Sequence, residues 1–199
     1  MMDVKRILLG ADAKGNSDLI DLAPLLVEGQ AFVAGGVFKD IATGVTPKDI
    51  DVFFYDAGCY NNAVERFRGS RKYTEEYSTP RSKGFKHTSS NMMVDLVCYQ
   101  FGTPLEVISR FEFTVCKMAF YKENGEFFVI HDTRFHRDLE DRRLVVEDKI
   151  ENPDLFFNRM LRYVNYGYKV DLTVKQRLFE AIQATYKPGD NINPVNTKY

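Results

Sequence analysis

Asp49-Ile50-Asp51 sets two carboxylates at positions i and i+2. Side chains alternate along an extended strand, so both would point from one face. Such a pair repels itself unless cations sit between the oxygens. Hard divalent cations take oxygen ligands, and two of them about 3.5 to 4 Å apart can activate an attacking oxygen and stabilise a leaving phosphate. Two Mg²⁺ ions, or Mn²⁺ in their place, are the expected cofactors. Upstream, Gly35-Gly36 follows the apolar run Ala31-Phe32-Val33-Ala34. A strand that breaks at Gly-Gly into a helix offers backbone N–H groups and a positive helix end, which suits a triphosphate. Lys39 adds a matching charge, with Asp40 beside it. Asp95 stands among apolar neighbours in NMMVDLVCY, where an ionised carboxylate needs a cation or hydrogen bonds. It is the candidate third ligand, or the base that takes the proton from an incoming hydroxyl. The combination favours nucleotidyl transfer over hydrolysis of an uncharged substrate.

These residues need short strands and helices to hold them. Ala31–Ala34, Asp49 to Tyr55 and Asn91 to Tyr99 read as strands, rich in β-branched and aromatic residues. Asn124-Gly125 predicts a hairpin turn into a strand from Phe127 to His131. Helices are expected over Ser17 to Val27, Val37 to Ala42, Tyr60 to Phe67 and Thr103 to Ser109. Two more close the chain: Pro153 to Tyr166, with proline in its first turn, and Thr173 to Tyr186, stopped by Pro188-Gly189. Asp190 to Tyr199 reads as a loose tail.

The 199 residues carry 27 Lys plus Arg and 28 Asp plus Glu, for a formal net charge of -1. That length predicts one compact domain, with or without a small appendage, and the balance excludes a wholly basic coat protein and a disordered acidic chain. No signal sequence and no 18-residue apolar run is present, so a soluble, cytoplasmic protein with no membrane partner is expected. Cys59, Cys98 and Cys116 lie far apart and read as reduced, buried thiols. The charge is uneven: residues 61 to 90 hold seven basic and three acidic side chains, and residues 155 to 187 hold six and two. Phosphate-backbone binding would suit the second stretch. His87, His131 and His136 have no metal-ligand spacing. The glycines of Gly10 to Ser17 imitate a P-loop, but Asn16 stands where its lysine would be.

GGVFKD, a spacer and PKDIDVFF resemble the head-domain signature of class II tRNA CCA-adding enzymes and bacterial poly(A) polymerases, in the polymerase β-like nucleotidyltransferase superfamily. Further pieces follow in order: Arg110 with FEFTV, Met118-Ala119, His131-Asp132 with Asp138-Leu139, and RMLRYVNYGY from Arg159 to Tyr168. The resemblance runs in one register over roughly residues 31 to 170. It implies an α/β fold of the α+β type: a nucleotidyltransferase head with a small mixed or antiparallel sheet flanked by helices, followed by a short helical neck. The implied division is a catalytic head over 1–148, a neck over 149–187 and a tail over 188–199. The implied activity is transfer of a nucleoside monophosphate from an NTP, ATP or CTP first, to a hydroxyl at an RNA (tRNA) 3′ end, with release of pyrophosphate. Asp49, Asp51 and Asp95 would hold the metals, and Gly35, Gly36, Lys39, Asp40, Arg110, Glu112, Arg159 and Arg162 would contact the nucleotide.

The departures are specific. Phe111 stands where the family carries a second arginine and Glu112 where it carries aspartate, and the stretch matching the base-selecting Glu-Asp-x-x-Arg motif is Glu151-Asn152-Pro153-Asp154-Leu155-Phe156, without its arginine. The resemblance covers a head with a short neck, so no counterpart of the family's tRNA-holding body and tail helices is expected. Two other readings therefore stand beside the first: a stand-alone nucleotidyltransferase that modifies a protein, a tRNA or a small molecule, and a head that binds nucleotide or RNA without turnover. For Arg110 and Glu112, and for Arg159 and Arg162, the plain alternatives are a salt bridge and a solvated stripe.

Overall fold

The computed structural model describes residues 2–10, 19, 21–146 and 150–186. In chain order the strands are β1 (Val4–Gly10), β2 (Ala31–Ala34), β3 (Asp49–Phe54), β4 (Tyr73–Ser78), β5 (Ser82–His87), β6 (Met93–Phe101), β7 (Met118–Glu123), β8 (Glu126–Asp132), β9 (Arg143–Leu144) and β10 (Lys169–Val170). The helices are α1 (Val37–Ala42), α2 (Ala57–Arg68), α3 (Pro104–Ser109), α4 (Phe135–Glu140), α5 (Pro153–Asn165) and α6 (Leu172–Thr185). The chain divides into two compact units. One takes the residues up to Phe111 with Cys116–Phe135, and the other takes Glu112–Val115 with the residues from His136 onward.

The first unit is built on one sheet of eight strands, ordered β1-β8-β7-β2-β3-β6-β5-β4. Only β3 and β6 pair in parallel; the other neighbours are antiparallel. The fold is thus α+β with a mixed sheet, as expected, but the sheet is large rather than small. The strands β1, β4 and β5 account for the difference. The parallel pair cannot close through a tight turn and needs a crossover, which here carries α2 and the whole β4–β5 hairpin.

One face of the sheet is sealed by α2. Its buried residues Tyr60, Ala63, Val64 and Phe67 recur at helical spacing. Phe67 lies 4.4 Å from Tyr73 and 5.2 Å from Phe85, and Tyr60 packs edge-on to Phe54 at 5.5 Å. Burying such a side chain contributes about 1.5 to 3 kcal/mol. Asp56 starts the helix by accepting from the Cys59 N–H at 2.8 Å. Strand alternation then forces the side chains at Asp49, Asp51 and Asp95 to the opposite face.

In the second unit Phe113 packs on Phe156 and Tyr163, at 5.1 and 5.3 Å. Asn152 caps α5 and Asp171 caps α6, each side chain accepting a backbone N–H at 3.1 Å. Asp138 is fully buried and accepts from Thr114 Oγ1 at 2.7 Å, with the Arg137 guanidinium 3.2 Å from its other oxygen.

Two expectations are corrected. Of the helix over 17–27, residues 17, 18 and 20 lie outside the described residues and Leu19 is helical, but the chain then forms a short 3-10 turn at Ala23–Leu25 that contains Pro24, which has no N–H to donate to a helix. The three cysteines are free but half-buried rather than buried. The tail over 190–199 lies outside the described residues. Among the described residues no helix is long and apolar enough to cross a membrane.

Candidate active site

The carboxylate face is organised in rows across four strands. Asp51 on β3 is in register with Asp95 on β6, Asp95 with Gly84 on β5, and Gly84 with Tyr77 on β4. The adjoining row runs Asp49, Met93, Lys86, Thr74. Strands in a sheet are about 4.8 Å apart, so Asp51 and Asp95 are immediate neighbours, and Asp49 lies two residues along the same face. The apolar strands NMMVDLVCY and DIDVFF supply this register: Ile50, Val52, Val94 and Leu96 are buried on the other side.

Asp95 is the most constrained of the three. Tyr77 Oη donates to its Oδ2 at 2.5 Å, while its Oδ1 is buried and makes no hydrogen bond within the protein. Burial raises its pKa above the ordinary carboxylate value; the Tyr77 hydrogen bond opposes this and the charge of Asp49 adds to it. Tyr77 is raised in turn, by burial first, then by its hydrogen bond to Asp95, with the charge of Asp51 also contributing.

Gly35 ends β2 beside these strands with φ +99°, a conformation that an L side chain adopts only under strain. A Cβ there would sit 3.7 Å from Asp51 Oδ2 and 3.7 Å from the Phe111 ring. The Gly35 N–H donates to the Met118 carbonyl at 3.1 Å, so it is committed to the sheet rather than open to a phosphate. Gly36 caps α1, a helix of six residues. Lys39, expected on the triphosphate, is 9% exposed and pairs with Asp40. Phe111 lies 5.6 Å from Phe53 and packs as an apolar residue.

Of the other residues expected at the nucleotide, Arg110 and Glu112 follow α3, and Arg159 and Arg162 lie on α5. The Arg110 guanidinium donates to the Phe101 carbonyl at 3.1 Å. Glu112 accepts from Arg159 at 2.6 Å, so the salt bridge foreseen at this segment forms with α5 and not with Arg110. Arg162 is exposed on α5. In the stretch matching the base-selecting motif, Asn152 is a helix cap and Asp154 accepts from the Tyr186 hydroxyl.

Tyr77 and Gly84 were not among the candidates from sequence. The segment YTEEYS is mostly exposed and lacks the apolar alternation that marks a strand. Only a hairpin in register with β6 would have placed Tyr77 beside Asp95.

The donor set suits a hard cation in part. Asp51 and Asp95 are oxygen donors in register, and Asp95 Oδ1 is buried with no partner of its own. Among the described residues, however, no group of three His, Cys, Asp or Glu side chains is assembled to hold a metal ion. Mg²⁺ is commonly held by one or two carboxylates with substrate phosphates and waters completing the shell, and two carboxylates of this kind are present.

Residues 10–142 match the family described as Gabija anti-defense 2. The chain belongs to the Gabija anti-defense 2 family. No curated protein matches it by sequence. Among solved structures this Gabija anti-defense 2 protein is similar to the Thermotoga maritima CCA-adding enzyme complexed with tRNA, at 17% identity over 92% of this chain and 47% of that one, with TM-score 0.63. CCA-adding enzymes in complex with ATP and with CTP are similar at 17% identity, over 93% and 84% of this chain and 47% and 44% of theirs, with TM-scores of 0.63 and 0.61. The likeness establishes a nucleotidyltransferase fold. The chain spans just under half the length of those enzymes.

Proposed function

We propose that this Gabija anti-defense 2 protein is a divalent-cation-dependent nucleotidyltransferase that moves a nucleoside monophosphate from an NTP to a hydroxyl acceptor and releases pyrophosphate. One observation carries the reading: Asp51 and Asp95 stand in register on the parallel β3–β6 pair, with Asp49 on the same face and an unpartnered buried oxygen on Asp95. Asp51 and Asp95, aided by Asp49, would hold Mg²⁺ or Mn²⁺. The bound ion would supply charge neutralisation at the transferring phosphoryl group. Asp95 would take the acceptor proton. Gly35 keeps side-chain bulk away from Asp51, leaving room for the triphosphate, and Gly36 opens α1 beside it. Lys39 and Asp40, Arg110 and Glu112, and Arg159 and Arg162 are proposed nucleotide contacts in a second rank, since most already have partners within the protein.

Two acceptors are in view. The likeness to CCA-adding enzymes supports an RNA (tRNA) 3′ end, with ATP or CTP as donor. Membership of a family named for opposing Gabija defence supports a stand-alone transferase that modifies a protein, a tRNA or a small molecule. In the proposed division, 1–148 forms the catalytic head, 149–187 the neck and 188–199 the tail. The test is to incubate the protein with each of the four α-labelled NTPs and Mg²⁺ or Mn²⁺, in the presence of cellular RNA or cellular protein. Label should enter one pool, from one or two nucleotides, and Asp51→Asn should abolish it. Transfer that is unchanged in Asp51→Asn refutes the assignment, and a lack of pyrophosphate release with every acceptor leaves only a binding role.

A further inference from the structure

Tyr77 belongs to no motif in the sequence, yet its side chain is committed to the carboxylate face. Its ring lies across Gly84 so closely that a Cβ there would fall 2.2 Å from Cε1 and 2.4 Å from Cζ. Glycine at this position is what lets the ring lie flat on the sheet and carry the hydroxyl across β5 to β6. There the hydroxyl donates to Asp95 Oδ2 at 2.5 Å. Tyr77 is 39% exposed.

Asp95 is also the group that would deprotonate an incoming hydroxyl. A general base must lie within hydrogen-bond reach of the proton it abstracts, so a hydroxyl bonded to Asp95 Oδ2 stands where an acceptor hydroxyl has to stand. Resting on the nucleotidyl-transfer reading of Asp49, Asp51 and Asp95, we propose that Tyr77 is itself an acceptor, a site at which the protein places a nucleoside monophosphate on its own phenolic oxygen. Tyr77 Oη forms a bond to the α-phosphorus of the NTP as the bond from that phosphorus to the β-bridging oxygen breaks. The phenolic proton passes to Asp95, and pyrophosphate leaves with the electron pair. The NTP is the sole co-substrate. Holding the nucleophile on β4 and its base on β6, across the single strand β5, makes the encounter intramolecular, an advantage worth a large effective molarity.

Other hydroxyls of the region are less suited. The Tyr73 ring packs against Phe67 on the α2 side of the sheet. Ser82 lies one row along, in register with Val97 rather than with a carboxylate. Tyr99 is exposed with the Arg81 guanidinium over its ring. Modification of Tyr77 would also remove its hydrogen bond from Asp95 and cover that carboxylate, so the reaction would stop after one nucleotide.

The experiment incubates the full chain with each α-labelled NTP and Mg²⁺ or Mn²⁺, without added acceptor. Expected are label in the protein, an intact-mass gain of one nucleoside monophosphate, fragment spectra that locate it on Tyr77, and a fall to background in both Tyr77→Phe and Asp51→Asn. Peptide mapping of the unmutated chain makes the result independent of how well the variants fold. Label on another residue overturns the proposal. So does an unlabelled protein that releases pyrophosphate with RNA or protein acceptors, an outcome that leaves the transferase reading intact. No label and no pyrophosphate with any acceptor refutes both. A metal-free check uses chelator-treated protein and N-acetylimidazole. Tyr77 should be acetylated more slowly than Tyr99 and lose that protection in Asp95→Ala. Equal reactivity of the two tyrosines in the unmutated chain means that Asp95 does not hold the hydroxyl, and the proposal falls.

Discussion

The bond between Tyr77 and Asp95 is measurable as a coupling energy without substrate or metal. Removing the hydroxyl in Tyr77→Phe leaves Asp95 with a second oxygen unsatisfied, beside the Oδ1 that already has no partner. A hydrogen bond to a charged group contributes about 1.5 to 3 kcal/mol. Tyr77 is 39% exposed, so water recovers part of that and the lower end applies, about 1 to 2 kcal/mol. For a chain of this size each kcal/mol moves the unfolding midpoint by about 2 to 4 °C. Tyr77→Phe should therefore melt about 2 to 8 °C lower than the unmutated chain in chelator. In an Asp95→Ala background the same substitution should cost less, because the hydroxyl then keeps only its contact with the Ser82 side chain. Urea unfolding of the four members of the cycle gives the coupling directly. Additivity within about 0.5 kcal/mol, the margin for independent sites, would refute the bond and with it the placement of Tyr77 at the acceptor position.

Further outcomes follow from other contacts. Gly84→Ala forces a Cβ into the Tyr77 ring. It should cost about 1 to 3 kcal/mol and move the hydroxyl off Asp95; with no Trp in the chain, tyrosine emission should report the loss of the carboxylate contact, and unchanged emission and stability would count against this packing. Asp138→Ala removes the partner of the buried Thr114 hydroxyl and should destabilise by about 2 to 3 kcal/mol, read by denaturant unfolding. Glu106 closes a capping box on α3, accepting the Thr103 N–H at 2.8 Å and the Thr103 hydroxyl at 2.9 Å, and the backbone bond first, then the hydroxyl, lower its pKa. A lowered carboxylate stabilises the fold above its unfolded value, about 4.3 for Glu, and that contribution is lost as pH falls through the folded value. The advantage of the unmutated chain over Glu106→Ala should therefore be full near neutral pH and shrink on acidification; an advantage independent of pH would contradict it.

How far the sequence could be read depended on how each element is buried. Strands β2, β3 and β6 and helices α1, α5 and α6 were legible because each presents an apolar pattern with a clear break or cap, such as Gly35-Gly36 or Pro153. Asp49 and Asp51 could be placed on a common face because strand alternation alone requires it, whereas Asp95 joins them only through the β3–β6 register. Strand β4 could not be read, since YTEEYS lies at the sheet edge and exposes most of its side chains. Its partner β5 holds Lys83, Gly84 and Lys86, which looked like part of a basic patch. The partner of Asp95 was hidden for the same reason, being fixed by hairpin register and a missing Cβ rather than by any motif. At Glu112 the sequence suggested an ion pair with its near neighbour, but the partner is Arg159, 47 residues away, and such a distant choice depends on tertiary packing.

The parallel pairing of β3 with β6 has an evolutionary consequence. Because the two carboxylate strands cannot be joined directly, the connecting excursion becomes a cassette inserted between them, and one edge of that cassette reaches back to Asp95. Strands β3 and β6 keep their register through their own buried faces, so the hairpin can be exchanged, lengthened or retuned while the carboxylates stay in place. A lineage under pressure to change its target could do so by remodelling β4 and β5 alone, and divergence among relatives should concentrate in that hairpin more than in the strands it connects.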